Sequence, residues 1–192
     1  MFEDETLFGA DWANDTYVLP RDLPAIQVSP DEMGRIAGRF AALVTGAVAP
    51  PVRVVKFIGD AVMLMSWEPA ALLRTLLRLV EVVDGDADEL PPLHGGAAHG
   101  PAVSRAGDWF GHAVNLASRI TAVARPGTIL ADGALRRAAG DGFVWTRLSP
   151  RHLRGVEGHT VLHRLRGTGE DRAAEGPDYD GAGRPAGRRS RR

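Results

Sequence analysis

The sequence predicts an α+β fold: a mixed β-sheet with helices on one face, in the ferredoxin-like βαββαβ order. Three observations predict it. Helical apolar periods alternate with short strand-like runs. Two of those runs, Val52 to Phe57 and Ala61 to Met65, are joined by Gly59-Asp60 and read as a hairpin. A hairpin inside the alternation excludes uniform βα units and points to a mixed sheet. The chain has 192 residues, 44% of them hydrophobic and 24% charged, enough to bury a core.

The elements follow in order. Residues 1–28 are acidic and without a clean period, and Pro20 and Pro24 interrupt the run from Tyr17 to Ile26, so irregular structure is expected there. Ser29-Pro30-Asp31-Glu32 is a capping box with proline at the first helical position. The helix it starts runs to about Ala47, with Met33, Ile36, Phe40, Leu43 and Val44 on one face. After the hairpin, Pro69 opens a second helix to about Val83, whose leucines at 72, 73, 76, 77 and 79 suit packing on a sheet. Leu93 to Gly100 is a buried strand rich in Gly and Ala, where another element approaches the backbone closely. Residues 101–105 are expected to pair with it, and 106–108 to form a loop. Gly111 to Ala124 is a third helix, stopped by Pro126-Gly127. A strand at 128–131, a short helix at 133–139 and strands near 143–148 and 160–166 complete the unit. The expected division is an acidic segment over 1–28, a folded domain over 29–166, and a disordered Arg-rich tail over 167–192.

Composition removes several function classes. There is no cysteine, so disulfides, thiolate metal sites and cysteine nucleophiles are excluded. The net charge of -1 disfavours a nucleic-acid binder. An RNA-binding sheet also needs aromatics on adjacent strands, and only 6% of residues are aromatic. No run of 18 apolar residues exists and the N-terminus has no basic n-region, so neither membrane insertion nor secretion is expected, and the chain reads as cytoplasmic. The histidines show no metal spacing; His99 and His112 fall near the candidate site. Of 23 basic residues a single one is lysine, Lys56. In so arginine-rich a chain, a lone lysine marks a place that suits a compact point charge.

Two clusters carry candidate chemistry. The first is Val54-Val55-Lys56-Phe57-Ile58-Gly59-Asp60-Ala61. Alone, its Asp60 is ordinary turn chemistry. The second is Gly107-Asp108-Trp109-Phe110-Gly111-His112-Ala113-Val114-Asn115-Leu116-Ala117-Ser118-Arg119. Asn115 and Arg119, four apart, share a helix face, which alone reads as a solvated stripe. Together, with Pro126-Gly127-x-Ile129 and Leu153-x-Gly155-Val156, they resemble the class III nucleotidyl cyclase catalytic domain over roughly 29–166. Within that family the chain looks most like actinobacterial adenylyl cyclases.

The resemblance implies conversion of ATP to 3′,5′-cyclic AMP and pyrophosphate, for intracellular signalling. It implies two divalent ions, Mg²⁺ or Mn²⁺, held by two aspartates. Asp60 matches the second aspartate, Asn115 the residue that orients the ribose, and Arg119 the one that neutralises the α-phosphoryl group. Lys56 and Asp108 match the adenine-selecting pair: the lysine donates to ring N1 and the carboxylate accepts from the exocyclic amine. The family's site is composite, which implies a homodimer or a heterodimer with another cyclase domain. Arg154, in the late hairpin, is a candidate grip for the terminal phosphates.

One motif departs. The family's opening strand, with its first metal aspartate and a Gly-Phe-Thr turn, has no counterpart, so a cyclase domain without a normal first strand is expected. Counting back from the first helix puts that aspartate near Tyr17, between Asp15 and Asp22. The chain then reads either as a cyclase impaired or truncated at its start, or as a catalytically silent cyclase-like module that serves as a regulatory dimer partner.

Overall fold

The computed structural model describes residues 12–20, 29–87 and 90–168. In chain order the elements are β1 (Trp12–Pro20), α1 (Pro30–Ala47), β2 (Arg53–Ile58), β3 (Ala61–Ser66), α2 (Pro69–Asp84), β4 (Leu93–Pro101) and β5 (Val103–Arg105). There follow β6 (Asp108–Phe110), α3 (His112–Thr121), β7 (Thr128–Asp132), α4 (Gly133–Ala138), β8 (Phe143–Arg147) and β9 (Leu162–Thr168).

Seven strands form one sheet in the order β2-β3-β1-β4-β7-β9-β8. All neighbours are antiparallel except β4 and β7, which makes the sheet mixed as expected. The capping box forms: the Ser29 side chain accepts from the Glu32 N–H at 3.2 Å. β2 and β3 form the anticipated hairpin, and Gly59 at its tip has φ +61°, a conformation glycine adopts without strain.

The sheet's two faces separate cleanly along β3. Val62 and Leu64 join the main core with Phe40, Val44, Leu72, Leu73, Leu76 and Leu79. Met63 and Met65 point the other way, toward Ala102 and Val114. Each fully buried leucine of α2 contributes about 1.5–3 kcal/mol of transfer free energy, so this helix is a main anchor of the fold. The arrangement with helices on one face holds for α1, α2 and α4. α3 lies on the opposite face, where Ala113, Leu116, Ala117 and Ile120 pack with Ala98, Leu130 and Leu162. Its approach is set by Gly96 of β4: a Cβ there would stand 2.3 Å from the Thr121 nitrogen and 2.5 Å from the Ala117 oxygen. That is the close approach the Gly/Ala-rich strand predicts.

The start of the chain corrects the sequence reading. Trp12–Pro20, expected to be irregular, is a nine-residue strand paired on both sides, with β3 and with β4. The opening strand of the domain is therefore present. Its Thr16-Tyr17-Val18-Leu19 run favours extended backbone, and Pro20 falls at the strand's last residue, where a missing N–H is tolerated. Residues 1–11 and 21–28 lie outside the described residues. So do 169–192, which include nearly all of the expected Arg-rich tail. A second correction concerns 101–105: Val103–Arg105 pairs with Asp108–Phe110 in a separate two-stranded ribbon, turning at Ala106-Gly107, and not with β4.

Candidate active site

Lys56 and Asp108 come from separate parts of the fold and meet. Lys56 sits in β2 next to a register shift between Val54 and Lys56, which breaks the regular alternation there. Asp108 opens β6. The Lys56 Nζ donates to Asp108 Oδ2, and the Trp109 N–H donates to Asp108 Oδ1 at 2.8 Å. The lysine's hydrogen bond, helped by the Trp109 amide, holds the Asp108 carboxyl below the usual carboxylate range. Both side chains keep about a third of their surface exposed, so a planar ring bearing a donor and an acceptor can still reach them.

Two tryptophans, not singled out as site residues from sequence, flank this pair. Trp109 stacks edge-on against Trp67 with ring centroids 5.6 Å apart. The Arg53 guanidinium lies 5.8 Å over the Trp67 ring. Behind Trp109 and Val55 lie Met63, Met65, Ala102 and Val114, a polarizable apolar bed. Trp109 stood inside the quoted motif. Trp67, just beyond β3, carried no local signal, because its contact is long-range.

α3 begins two residues after β6. A Cβ at Gly111 would stand 2.6 Å from the Pro101 oxygen, so the helix can start tight against the end of β4. The buried stripe of α3 turns Asn115 and Arg119 outward, both exposed and one turn apart. His112 is exposed at the same helix's first turn. Lys56 and Asp108 are thus brought together, and Asn115 and Arg119 lie on the outward face of the helix that follows β6.

Asp60 lies at the β2–β3 tip, half-buried. Val18 pairs with Val62, so continuing the register two residues sets Pro20 opposite Asp60. Asp15 pairs with Met65, five residues along β3 from Asp60, or about 17 Å of strand. Asp15 is therefore placed away from that tip along the register of β1. Asp22 lies outside the described residues. Tyr17, the position reached by counting, pairs with Met63. Among the described residues no group of three His, Cys, Asp or Glu side chains gathers to hold an ion. Among the described residues Asp60 is the candidate carboxylate at the tip. Arg154 stands exposed in the β8–β9 connection.

No family model matches the chain. A pH-sensitive adenylate cyclase of Mycobacterium tuberculosis is 51% identical over 164 residues, covering 81% of this chain and 41% of the relative. An adenylate cyclase of Streptomyces griseus is 34% identical over 112 residues, covering 58% of this chain and 28% of the relative. The chain therefore spans well under half the length of these relatives. Among solved structures, the catalytic core of a rhodopsin-guanylyl cyclase with converted specificity, in complex with ATPαS, superposes with TM-score 0.70 at 17% identity, covering 83% of this chain and 97% of that one. That structural likeness bears on the fold, and with the sequence kinship to adenylate cyclases the chain belongs to the class III nucleotidyl cyclase catalytic-domain family.

Proposed function

We propose that this chain is the catalytic domain of an adenylyl cyclase, converting ATP to 3′,5′-cyclic AMP and pyrophosphate. The observation that carries the reading is the Lys56–Asp108 pair, with Asn115 and Arg119 outward on the helix that follows it in the chain. An ammonium next to a carboxylate matches adenine, which accepts at N1 and donates from its amine. Guanine presents the reverse pattern. Asn115 offers a donor and an acceptor to the ribose. Arg119, one turn further, meets the α-phosphoryl group.

In the reaction the 3′-oxygen forms a bond to the α-phosphorus while the bond to the β-bridging oxygen breaks. Pyrophosphate leaves and the hydroxyl proton passes to solvent. Negative charge builds on the α-phosphoryl oxygens, and a guanidinium offers paired donors to them. Asp60, with Mg²⁺ or Mn²⁺, is the metal-side candidate, and Asp22 is its candidate partner by sequence position. As the family resemblance implies a composite site, two chains are expected to complete each other's sites in a homodimer or a pairing with another cyclase domain. A cytoplasmic setting follows for an enzyme that consumes ATP.

A second reading has its own observation. The opening run Trp12–Pro20 lacks the family's first metal-aspartate motif with its Gly-Phe-Thr turn, which favours a silent module that supplies Lys56, Asp108, Asn115 and Arg119 to a partner. A cyclase assay separates the two, with Mg²⁺ and Mn²⁺ in turn, ATP against GTP, and Arg119→Ala as control. The expected result is cyclic AMP from ATP, lowered about 10³-fold or more by Arg119→Ala. Folded protein that forms no product with either ion overturns the active-enzyme reading.

A further inference from the structure

Asp108 is held by a small element with little support of its own. β5 and β6 form a ribbon of three residue pairs, apart from the seven-stranded sheet. A lone two-stranded ribbon is marginal in water and needs packing to fix it. Val103, Ser104 and Arg105 are all exposed, and so is Phe110. Trp109 is therefore the ribbon's apolar anchor, packed with Met63, Met65, Ala102 and Val114. The same residue sets the carboxylate next to it, since its N–H donates to Asp108 Oδ1 at 2.8 Å. A shift of Trp109 thus moves the acceptor that pairs with Lys56.

Trp67, just past the end of β3, buttresses that anchor. Its ring meets the Trp109 ring edge-on at 5.6 Å, inside the range where aromatic pairs attract. Its backbone is tied down by its neighbours: Ser66 is fully buried, and the Glu68 N–H donates to Ser66 Oγ at 3.0 Å. The Arg53 guanidinium, 5.8 Å over the ring, adds a cation–π contact from β2. Trp67 nonetheless keeps 50% of its surface exposed, so the core of the sheet does not depend on it. We propose that Trp67 is a positioning residue for base selection. By holding Trp109 it fixes the β5–β6 ribbon, and with it the placement of the Asp108 carboxylate beside the Lys56 ammonium that a purine edge must match. The proposal deepens the adenylyl cyclase reading and rests on it for the identity of the base.

Trp67→Ala and Trp67→Phe in the full chain test it by two readouts. Amide hydrogen exchange reads the ribbon without any turnover. In Trp67→Ala the β5 and β6 amides are expected to exchange about 3–10-fold faster, the scale of one lost aromatic pair, while those of α2 and β4 keep their native rates. Steady-state kinetics with ATP and GTP read the selection. Trp67→Ala is expected to raise the KM for ATP about 3–10-fold and to narrow the preference for ATP by a similar factor, with kcat within about twofold of native. Trp67→Phe restores most of both, and Arg78→Ala, an exposed arginine on α2, changes neither. Exchange that stays native in Trp67→Ala overturns the proposal. So does faster exchange with the preference for ATP intact, a result that leaves the adenylyl cyclase reading standing. A loss that falls equally on ATP and GTP overturns it too, as a general structural effect. If the chain makes no cyclic AMP, calorimetric binding of ATP against GTP reads the same selection. A preference for ATP that Trp67→Ala then erases sinks the catalytic reading and leaves the positioning role standing.

Discussion

Lys56 is where a single atom decides the chemistry. Its ammonium pairs with Asp108 and, in the proposed reading, also donates to a ring nitrogen, so replacing it removes two things at once. Lys56→Met is expected to lower kcat/KM for ATP by about 10–100-fold, the scale of one or two lost charge-assisted hydrogen bonds, and to erase discrimination against GTP. A steady-state comparison of the two triphosphates checks it. The pair also has a pH signature. Asp108 has its folded-state pKa held below 3.8 by the lysine's hydrogen bond, so its contribution is present above that value and lost as pH falls through the lowered one. A carboxyl-carbon NMR titration should find a midpoint below 3.8 in the native chain, moving up in Lys56→Met. An unmoved midpoint would separate the pair.

Between residue and fold, two elements rest on one side chain or on its absence. Asp132 caps α4: its Oδ1 accepts the Leu135 N–H at 2.9 Å and the His99 N–H at 3.3 Å. Burial is the larger influence and pushes its carboxyl above the usual range, against those hydrogen bonds. A raised carboxyl favours the protonated form in the fold, so stability declines as pH climbs from 3.8 toward the folded-state value. Asp132→Asn keeps the cap and removes the buried charge. It should flatten that decline in chemical denaturation, whereas Asp132→Ala should cost about 1 kcal/mol or more. Gly96 is the reverse case. Gly96→Ala drives a methyl into the backbone of α3 and should destabilise by about 1–3 kcal/mol or more, read as a lower denaturation midpoint with Asn115 and Arg119 displaced. Much of this level was legible in the chain: the capping box, the Gly-Asp hairpin and the run around Gly96 are local signals that the tertiary structure did not override. β1 was not, because a proline in the sequence reads as a strand breaker and only the fold shows that Pro20 ends the strand. The β5–β6 ribbon was missed for a related reason, since its pairing partner was chosen by proximity in sequence.

For the molecule as a whole, the question is whether one chain suffices. Phe57, Ile58, Val103 and Phe110 are large apolar residues left exposed on β2, β5 and β6, the strands that also carry Lys56 and Asp108. Such exposure beside a candidate site suits a surface that a second chain covers. The sequence could supply the residue types of the site but not which chain each serves, because register and helix placement within one chain do not relate two copies. Complementation decides it. Asp60→Asn leaves its chain with an intact α3 face, and Arg119→Ala leaves its chain with an intact hairpin tip. If sites are shared, each variant alone is silent. Mixing them then lets half the dimers carry one intact site of two, so equal amounts should restore about a quarter of native activity in a symmetric dimer. The measurement is cyclic AMP formation against mixing ratio, which should peak at equal amounts. Activity that stays absent at every ratio, from variants that each still dimerise in sedimentation, would place Asp60 and Arg119 in the same site of one chain.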